Sequence, residues 1–388
     1  MTTAPSRTVY VVGAGPGGLA AAAALRARGV PASVLERSEA VAAAWRGHYD
    51  RLHLHTTRRL SGLPGLAIPR AYGRWVGRDD VIRYLEAYTA HHRLEVRTGT
   101  EVERVDRSCG DDGVRWALRT TGGEELRARA VVVATGHNHT PHLPPWPGRD
   151  SFTGRLLHAS AYRCPAPFTG LDVLVVGVGN TGAEIAVDLA DGGARRVRLA
   201  VRTPPHIVRR DTLGWPAQAT GVLVRHLPPA AVDRAAGVLA RLSVPDLSQY
   251  GLPRPQDGPY TRLLRDGAIP VQDVGLIDAV RAGRVEPVAA VEGFEDAEVR
   301  LADGSTLMPD VVIAATGYRR GLEKMVGHLG VLDGRGRPKA HGATTPTPGL
   351  YFTGYTNPIS GMFREMAIDA RRIAKAVRRE GPGRGPGG

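Results

Sequence analysis

The sequence predicts an α/β chain built from two alike units, the second set into the first. Two observations carry that prediction. A strand–glycine–helix pattern at Thr8–Leu25 (TVYVVGAGPGGLAAAAAL) returns at Leu171–Leu189 (LDVLVVGVGNTGAEIAVDL). A strand closing in Ala-Thr-Gly at Ala134–Gly136 returns at Ala315–Gly317. The first unit is expected over residues 1–148 and 311–388. The second is expected over 149–310, with a helical excursion at 213–275.

In the first pattern, Val9, Val11 and Val12 with Tyr10 form a short apolar run that reads as a buried parallel strand. Gly13, Gly15 and Gly18 then give G-x-G-x-x-G at the head of an Ala-rich helix. The first glycine permits the tight turn, the second lets backbone approach a pyrophosphate, and the third lets helix and strand pack closely. The free N–H groups and dipole of the helix would face the phosphates. A second strand, Ala32–Leu35, ends at Glu36, whose carboxylate suits a ribose 2′-hydroxyl. A lone glycine motif also fits a plain turn. Strand, glycines, helix and acid together specify a Rossmann-like dinucleotide site.

A helix-like Glu39–Arg46 with Trp45 follows, then Tyr49–Arg58, whose alternation suggests a strand running into a loop. Arg78–His91 reads as a helix, with Asp79 and Asp80 in its first turn and Val81, Ile82, Leu85 and Tyr88 on one face. Strands are expected at Leu94–Val96, Thr100–Asp106, Val114–Thr120, Glu125–Arg127 and Ala130–Ala134. The Pro-rich connector His137–Gly148 suits a crossing between domains. The second glycine motif, Gly177, Gly179 and Gly182, leads to a strand at Val197–Val201. Where the first unit's second strand ends in Glu36, this one ends in Arg202. A guanidinium pairs bidentately with a 2′-phosphate, so the first site suits a nucleotide without that group and the second suits NADPH. His206, Arg209 and Arg210 follow and could complete the anion pocket.

Leu213–Leu242 has helical patches broken by prolines. Trp215, Leu223, Leu227, Val238, Leu239 and Leu242 line a pocket or interface on one reading and pack inward on the other; a membrane-surface role is weaker. Arg284–Val291, Glu298–Leu301, Asp310–Ala315 and Leu350–Gly354 read as strands. The last helix, Met362–Glu380, is expected to turn Ile368, Ile373 and Val377 inward.

Between the glycine motifs lies Phe152-x-Gly154-x-x-x-His158-x-x-x-Tyr162. With it the chain resembles the class B flavin-dependent monooxygenases. Tyr162 stands where Baeyer–Villiger enzymes usually carry Trp, so the resemblance is to the flavin-containing, N- and S-oxygenating branch. Tyr49–Arg58, Tyr250–Gly275 and the ending Asp310–Arg319 (DVVIAATGYR) look like the YUCCA-type plant enzymes. The resemblance implies FAD on the first glycine unit and NADPH on the second. It implies oxygenation of a small organic molecule with O₂ through a flavin C4a-(hydro)peroxide: oxidative decarboxylation of an aryl 2-oxo acid, or N- or S-oxygenation. Trp45 would pack along the flavin, and the turns Ala134–Gly136, with Thr135, and Ala315–Gly317, with Thr316, would lie beside the cofactors; Arg37, Val102 and Gly354 are further expected cofactor contacts. Asn180 and Thr181 would reach the NADPH pyrophosphate, with Arg210 in the anion pocket. His158 and Tyr162 would help position the nicotinamide nucleotide, not move protons. At the position matched to His55, animal and bacterial relatives often have Asn and plant-type ones His. A donor there could steady the oxygenated flavin. A half-buried histidine bonded to backbone stays open as the alternative.

The net charge of +13 comes from 51 basic and 38 acidic residues spread along the chain, and only Lys324, Lys339 and Lys375 are lysines. With few aromatics between, this reads as solvated surface plus anionic cofactors, not nucleic-acid binding. Cys109 and Cys164 lie far apart, which argues against a disulfide framework, a C-x-x-C pair or a metal cluster. No apolar run is long enough to span a bilayer and no signal peptide is evident, so a cytoplasmic protein without a membrane anchor is expected. A homodimer is compatible with the sequence. The tail Gly381–Gly388 reads as disordered. Two rival readings remain open: a flavoprotein reductase passing electrons to a partner, and a nucleotide-binding sensor without turnover.

Overall fold

The computed structural model describes residues 8–108, 114–212, 214–225, 227–345 and 347–380. Cys109, Leu213 and the tail Gly381–Gly388 lie outside them. The chain forms two compact units. One holds the described residues through Gly47, Thr56–Thr140 and those from Tyr318 on; the other holds His48–His55 and Pro141–Gly317.

In the first unit, the glycine-bearing strand Val9–Val12 is central to a five-stranded parallel sheet. The strand order is Leu350–Phe352, Ala130–Val133, Val9–Val12, Ala32–Leu35, Glu95–Arg97. Val9, Val11 and Val131–Val133 are fully buried, as strands covered on both faces must be. Helix Pro16–Arg26 packs on helix Met362–Arg379. Its alanine run permits that close approach, since seven consecutive residues from Leu19 to Leu25 are buried. A three-stranded antiparallel meander, Val102–Arg107, Trp116–Thr120 and Glu125–Ala128, precedes the last central strand.

The second unit repeats this plan. Its parallel sheet runs Arg155–His158, Val311–Ala314, Asp172–Val176, Arg196–Ala200, Glu286–Val288. Its meander is Val291–Glu295, Glu298–Leu301 and Thr306–Leu307.

Several expectations are corrected. The first unit does not resume near Val311: Val311–Ala314 pairs in parallel with Asp172–Val176, Val173 opposite Val311, and closes the second sheet. That unit also begins before residue 149 and takes in His48–His55. Arg155–His158, for which no strand was expected between the glycine motifs, is an edge strand. Glu39–Arg46 is helical only over Ala43–Arg46, because Ala42 at φ +61° breaks the turn before it. Arg284–Val291 divides between two sheets at Ala289–Ala290. Ile368 is only half-buried, whereas Ile373 and Val377 are buried as expected. The excursion forms helices Ala217–Val224, Pro229–Ser243 and Pro259–Asp266, but Trp215, Leu223, Leu227, Val238, Leu239 and Leu242 are all exposed, not packed.

Candidate functional site: two glycine turns and a histidine on a buried carboxylate

The strand Val9–Val12 delivers Gly13 at φ +107°, where an L side chain is strained. A Cβ there would lie 2.6 Å from Ala134 O, and one on Gly18 would lie 1.8 Å from Gly13 O. Strand, turn and helix therefore touch through bare backbone. Gly15 differs. It caps Pro16–Arg26 with extended backbone and no side-chain cap, and a Cβ there would meet nothing within 4 Å. Open space in front of uncapped helix N–H groups fits a pyrophosphate. Glu36 is buried, and its Oε2 accepts from Ala14 N–H at 2.7 Å and its Oε1 from Ser38 N–H at 3.0 Å. Two backbone donors thus fix the carboxylate at the rim of the turn, with lone pairs left for a ribose hydroxyl.

The second turn copies the first. Gly177 sits at φ +106° with its Cβ position 2.7 Å from Ala315 O, Gly182 faces Gly177 O at 1.9 Å, and Gly179 opens on free space. The strand register is the same, but the residue at the rim differs. Val12 pairs with Leu35, so Gly13 is level with Glu36; Val176 pairs with Ala200, so Gly177 is level with Val201. The position equivalent to Glu36 is therefore Val201, and Arg202 comes one residue later, exposed. No carboxylate at that rim repels a 2′-phosphate, and a guanidinium is next to it. Asn180 does not aim its side chain at the turn. Its Oδ1 accepts from Gln272 N–H at 2.7 Å and its Nδ2 donates to Pro270 O at 3.4 Å, tying the helix start to the strand Val271–Asp273. Thr181 hydrogen-bonds the Tyr49 phenol. Arg209 Nε donates to Ser243 O at 2.8 Å, and Arg210 is half-buried. Burial, then Arg262, lowers the pKa of His206, although Asp257 lies beside it.

In the first unit, Arg37 Nη1 hydrogen-bonds His139 Nε2 at 3.0 Å, and burial together with that guanidinium lowers the His139 pKa. Trp45 meets Phe363 edge-on with ring centres 5.9 Å apart. Thr135 N–H donates to Tyr355 Oη at 3.1 Å, and the two hydroxyls lie 2.8 Å apart. Burial pushes the Tyr355 phenol up to about 12. Gly136 and Gly354 take left-handed turns at φ +93° and +84°. The Val102 side chain is buried among Trp116 and Leu118, so its packing is with the core and only its backbone is left for a cofactor.

His158 ends the edge strand Arg155–His158. Its Nδ1 accepts from Ser160 N–H at 3.0 Å, so the proton sits on Nε2 and is donated to Gly317 O at 3.0 Å. Burial lowers its pKa and keeps that tautomer neutral. Gly317 O also accepts from His142 N–H, and Thr316 Oγ1 donates to His142 O. Tyr162 is fully buried and donates to Asp188 Oδ2 at 2.7 Å; burial and that bond raise its pKa.

His55 bonds a side chain and not backbone: its Nε2 lies 3.0 Å from Glu184 Oε1. Tyr49 donates to the other oxygen, Oε2, at 2.8 Å. Glu184 is 4% exposed. The His55 Nδ1 is buried and has no hydrogen-bond partner among the described residues.

A family profile described as pyridine nucleotide-disulphide oxidoreductase matches residues 10–213. An indole-3-pyruvate monooxygenase, YUCCA1, from Oryza sativa subsp. japonica is 40% identical over 95% of this chain and 90% of its own length. The chain belongs to the class B flavin-dependent monooxygenases. A probable indole-3-pyruvate monooxygenase from Arabidopsis thaliana is 35% identical over 95% of this chain and 88% of its own. Among solved structures, a flavin monooxygenase from Stenotrophomonas maltophilia, a mutant form, superposes with TM-score 0.71 at 26% identity, covering 97% of this chain and 98% of that one. With its family, this monooxygenase is an oxidoreductase that uses FAD and NADPH. No helix among the described residues is long and apolar enough to cross a membrane.

Glu184 and Asp188 escaped the sequence reading. Both lie on the helix Asn180–Asp191 of this monooxygenase, in the run Ala183–Leu189 where every residue is buried. Asp188 takes Tyr162, and Arg51 reaches both Asp188, at 3.6 Å, and Asp191, at 2.8 Å. Two carboxylates four residues apart on a helix's apolar face were the available signal, because a core position carries a charge only when a partner meets it.

Proposed function

We propose that this chain is an NADPH- and O₂-dependent monooxygenase of an aryl 2-oxo acid, with indole-3-pyruvate the first acid to test. The supporting observation is its 40% identity, across nearly the full length of both chains, to a relative named for that substrate. The net reaction is R–CO–COOH + O₂ + NADPH + H⁺ → R–COOH + CO₂ + H₂O + NADP⁺. When bound, NADPH supplies the hydride and FAD the O₂ activation.

The chain's own residues bind and orient. Gly13, Gly15, Gly18 and Glu36 hold the adenosine and pyrophosphate of FAD, joined by Arg37, Trp45, Thr135, Gly136 and Gly354. Gly177, Gly179, Gly182 and the backbone of Asn180 and Thr181 take the pyrophosphate of NADPH, and Arg202 with Arg210 takes its 2′-phosphate. His158 stays neutral and pins Gly317, so it holds a turn and moves no proton. His55 is the side chain offered to the reacting molecule. The two units serve as the FAD domain and the NADPH domain.

The test is aerobic turnover with NADPH and indole-3-pyruvate. One CO₂ and one shortened acid per NADPH are expected, with O₂ uptake that rises with substrate. NADPH oxidation that is indifferent to the oxo acid, yet feeds an electron-accepting partner, would make the protein a reductase instead. Oxygenation of an amine or thioether is the second reading, favoured by Tyr162 at the place of the Baeyer–Villiger Trp.

A further inference from the structure

The segment Tyr49–His55 and the helix Asn180–Asp191 belong to the same unit. They meet through three acids on successive turns of that helix. Glu184 takes Tyr49 and His55, Asp188 takes Tyr162 and Arg51, and Asp191 takes Arg51 and Arg284. The lower two pairings leave no oxygen idle and need no ligand to explain them. The upper one differs, because it ends on an unsatisfied atom.

Burial, then the negative charge of Glu184, raises the Tyr49 pKa, so that phenol keeps its proton and is the donor to Oε2. The other carboxylate oxygen, Oε1, then accepts from His55 Nε2 at 3.0 Å. A neutral imidazole that donates from Nε2 carries a lone pair on Nδ1. That nitrogen is buried and unpartnered, although more than nine in ten buried polar groups find a partner. A mere brace between strand and helix would not need it. We propose that Glu184 is the positioning residue of His55: it holds the imidazole in the Nε2–H tautomer and so presents Nδ1 as a buried acceptor for an N–H or O–H of a bound ligand. The inference rests on the reading of His55 as a site residue and deepens it. It also changes the expected chemistry, since a ring held as the Nε2–H tautomer presents an acceptor where the sequence suggested a donor.

The flavin-loaded protein carrying ring-¹⁵N histidine tests this by long-range ¹H–¹⁵N spectra, with the His55 signals assigned by their loss in His55→Gln. The wild type is expected to show Nε2–H at His55. In Glu184→Ala the two tautomers mix, and kcat/KM for the oxo acid falls about tenfold or more, by analogy with a catalytic histidine left in the wrong tautomer. The NADPH KM stays unchanged. Glu184→Gln keeps an acceptor for Nε2–H and is expected to restore both readouts. Tyr49→Phe leaves the tautomer in place. An Nδ1–H signal in the wild type overturns the inference whether or not the Ala variant folds. A His55→Ala variant with unchanged coupling of NADPH to product would remove His55 itself from the site. An effective His55→Ala beside a silent Glu184→Ala would remove only the positioning role.

Discussion

Asp369 gives the most quantitative prediction. It lies on the helix Met362–Arg379 and is buried against Gly342, where a Cβ would come within 2.7 Å of its Oδ1. Burial is the main reason its pKa rises from 3.8 to about 6; His341 and Arg372 pull it down and Glu365 pushes it up. A carboxyl with a raised pKa binds its proton more tightly in the folded state than in the unfolded one. Below about pH 4 both states are protonated and the group costs nothing. As pH rises through the folded value the native state must bury a charge, and the cost is complete above it. A shift of about two units corresponds to about 3 kcal/mol. At pH 5 the same two values leave about half of that. Asp369→Asn removes the charge at constant shape and is expected to stabilise the protein by up to about 3 kcal/mol at pH 8, a rise of about 5–10 °C in Tm. Calorimetry of the flavin-loaded protein at pH 8 and pH 5 reads both values. An equal gain at the two pH values, or a loss at pH 8, would refute burial as the origin of the shift.

Four further outcomes follow from the site. Arg202→Glu should raise the KM for NADPH by about 10- to 100-fold, the worth of a charge-assisted pairing, and leave that for NADH nearly unchanged; equal effects would reject the 2′-phosphate assignment. Gly15→Val should purify colourless yet fold, because its Cβ position is open space, and retained FAD would contradict the first-site assignment. Gly18→Ala should fail to accumulate as folded protein, since its Cβ would lie 1.8 Å from Gly13 O; a soluble yellow variant would show that the turn can shift. His55→Ala should speed H₂O₂ release from NADPH-reduced enzyme, read by stopped-flow absorbance and peroxide assay.

Much of this architecture can be read from residues alone where spacing fixes backbone. The two glycine motifs need φ values that only glycine takes easily, and both turns form as the motif demands. The boundary near Val311 misled for a reason visible in hindsight. The strands ending at Ala134 and Ala315 are internal repeats, so each must close its own sheet, and the second does. Arg202 could be found without structure, but its offset from Glu36 could not, because strand ends do not reveal register. The partners of Glu184 were hidden for a different reason. Its spacing on an apolar helix face marks it as a buried acid, but Tyr49 and His55 lie more than 120 residues away in sequence. The exposed leucines of the excursion obey helical periodicity, yet periodicity says only that a face is apolar, not that anything covers it.

The sheet order also governs how the nascent chain must wait. Ala130–Val133 is synthesised long before its outer neighbour Leu350–Phe352, and helix Pro16–Arg26 long before Met362–Arg379. The second sheet needs nothing beyond Ala314 and can close on the ribosome. The first keeps a bare, wholly apolar edge until Leu350–Phe352 has been translated. Such an edge is a template for stray strands. Premature stops or slow decoding after residue 317 should therefore yield aggregates that retain one folded half, and chaperone demand in a heterologous host should concentrate on that interval.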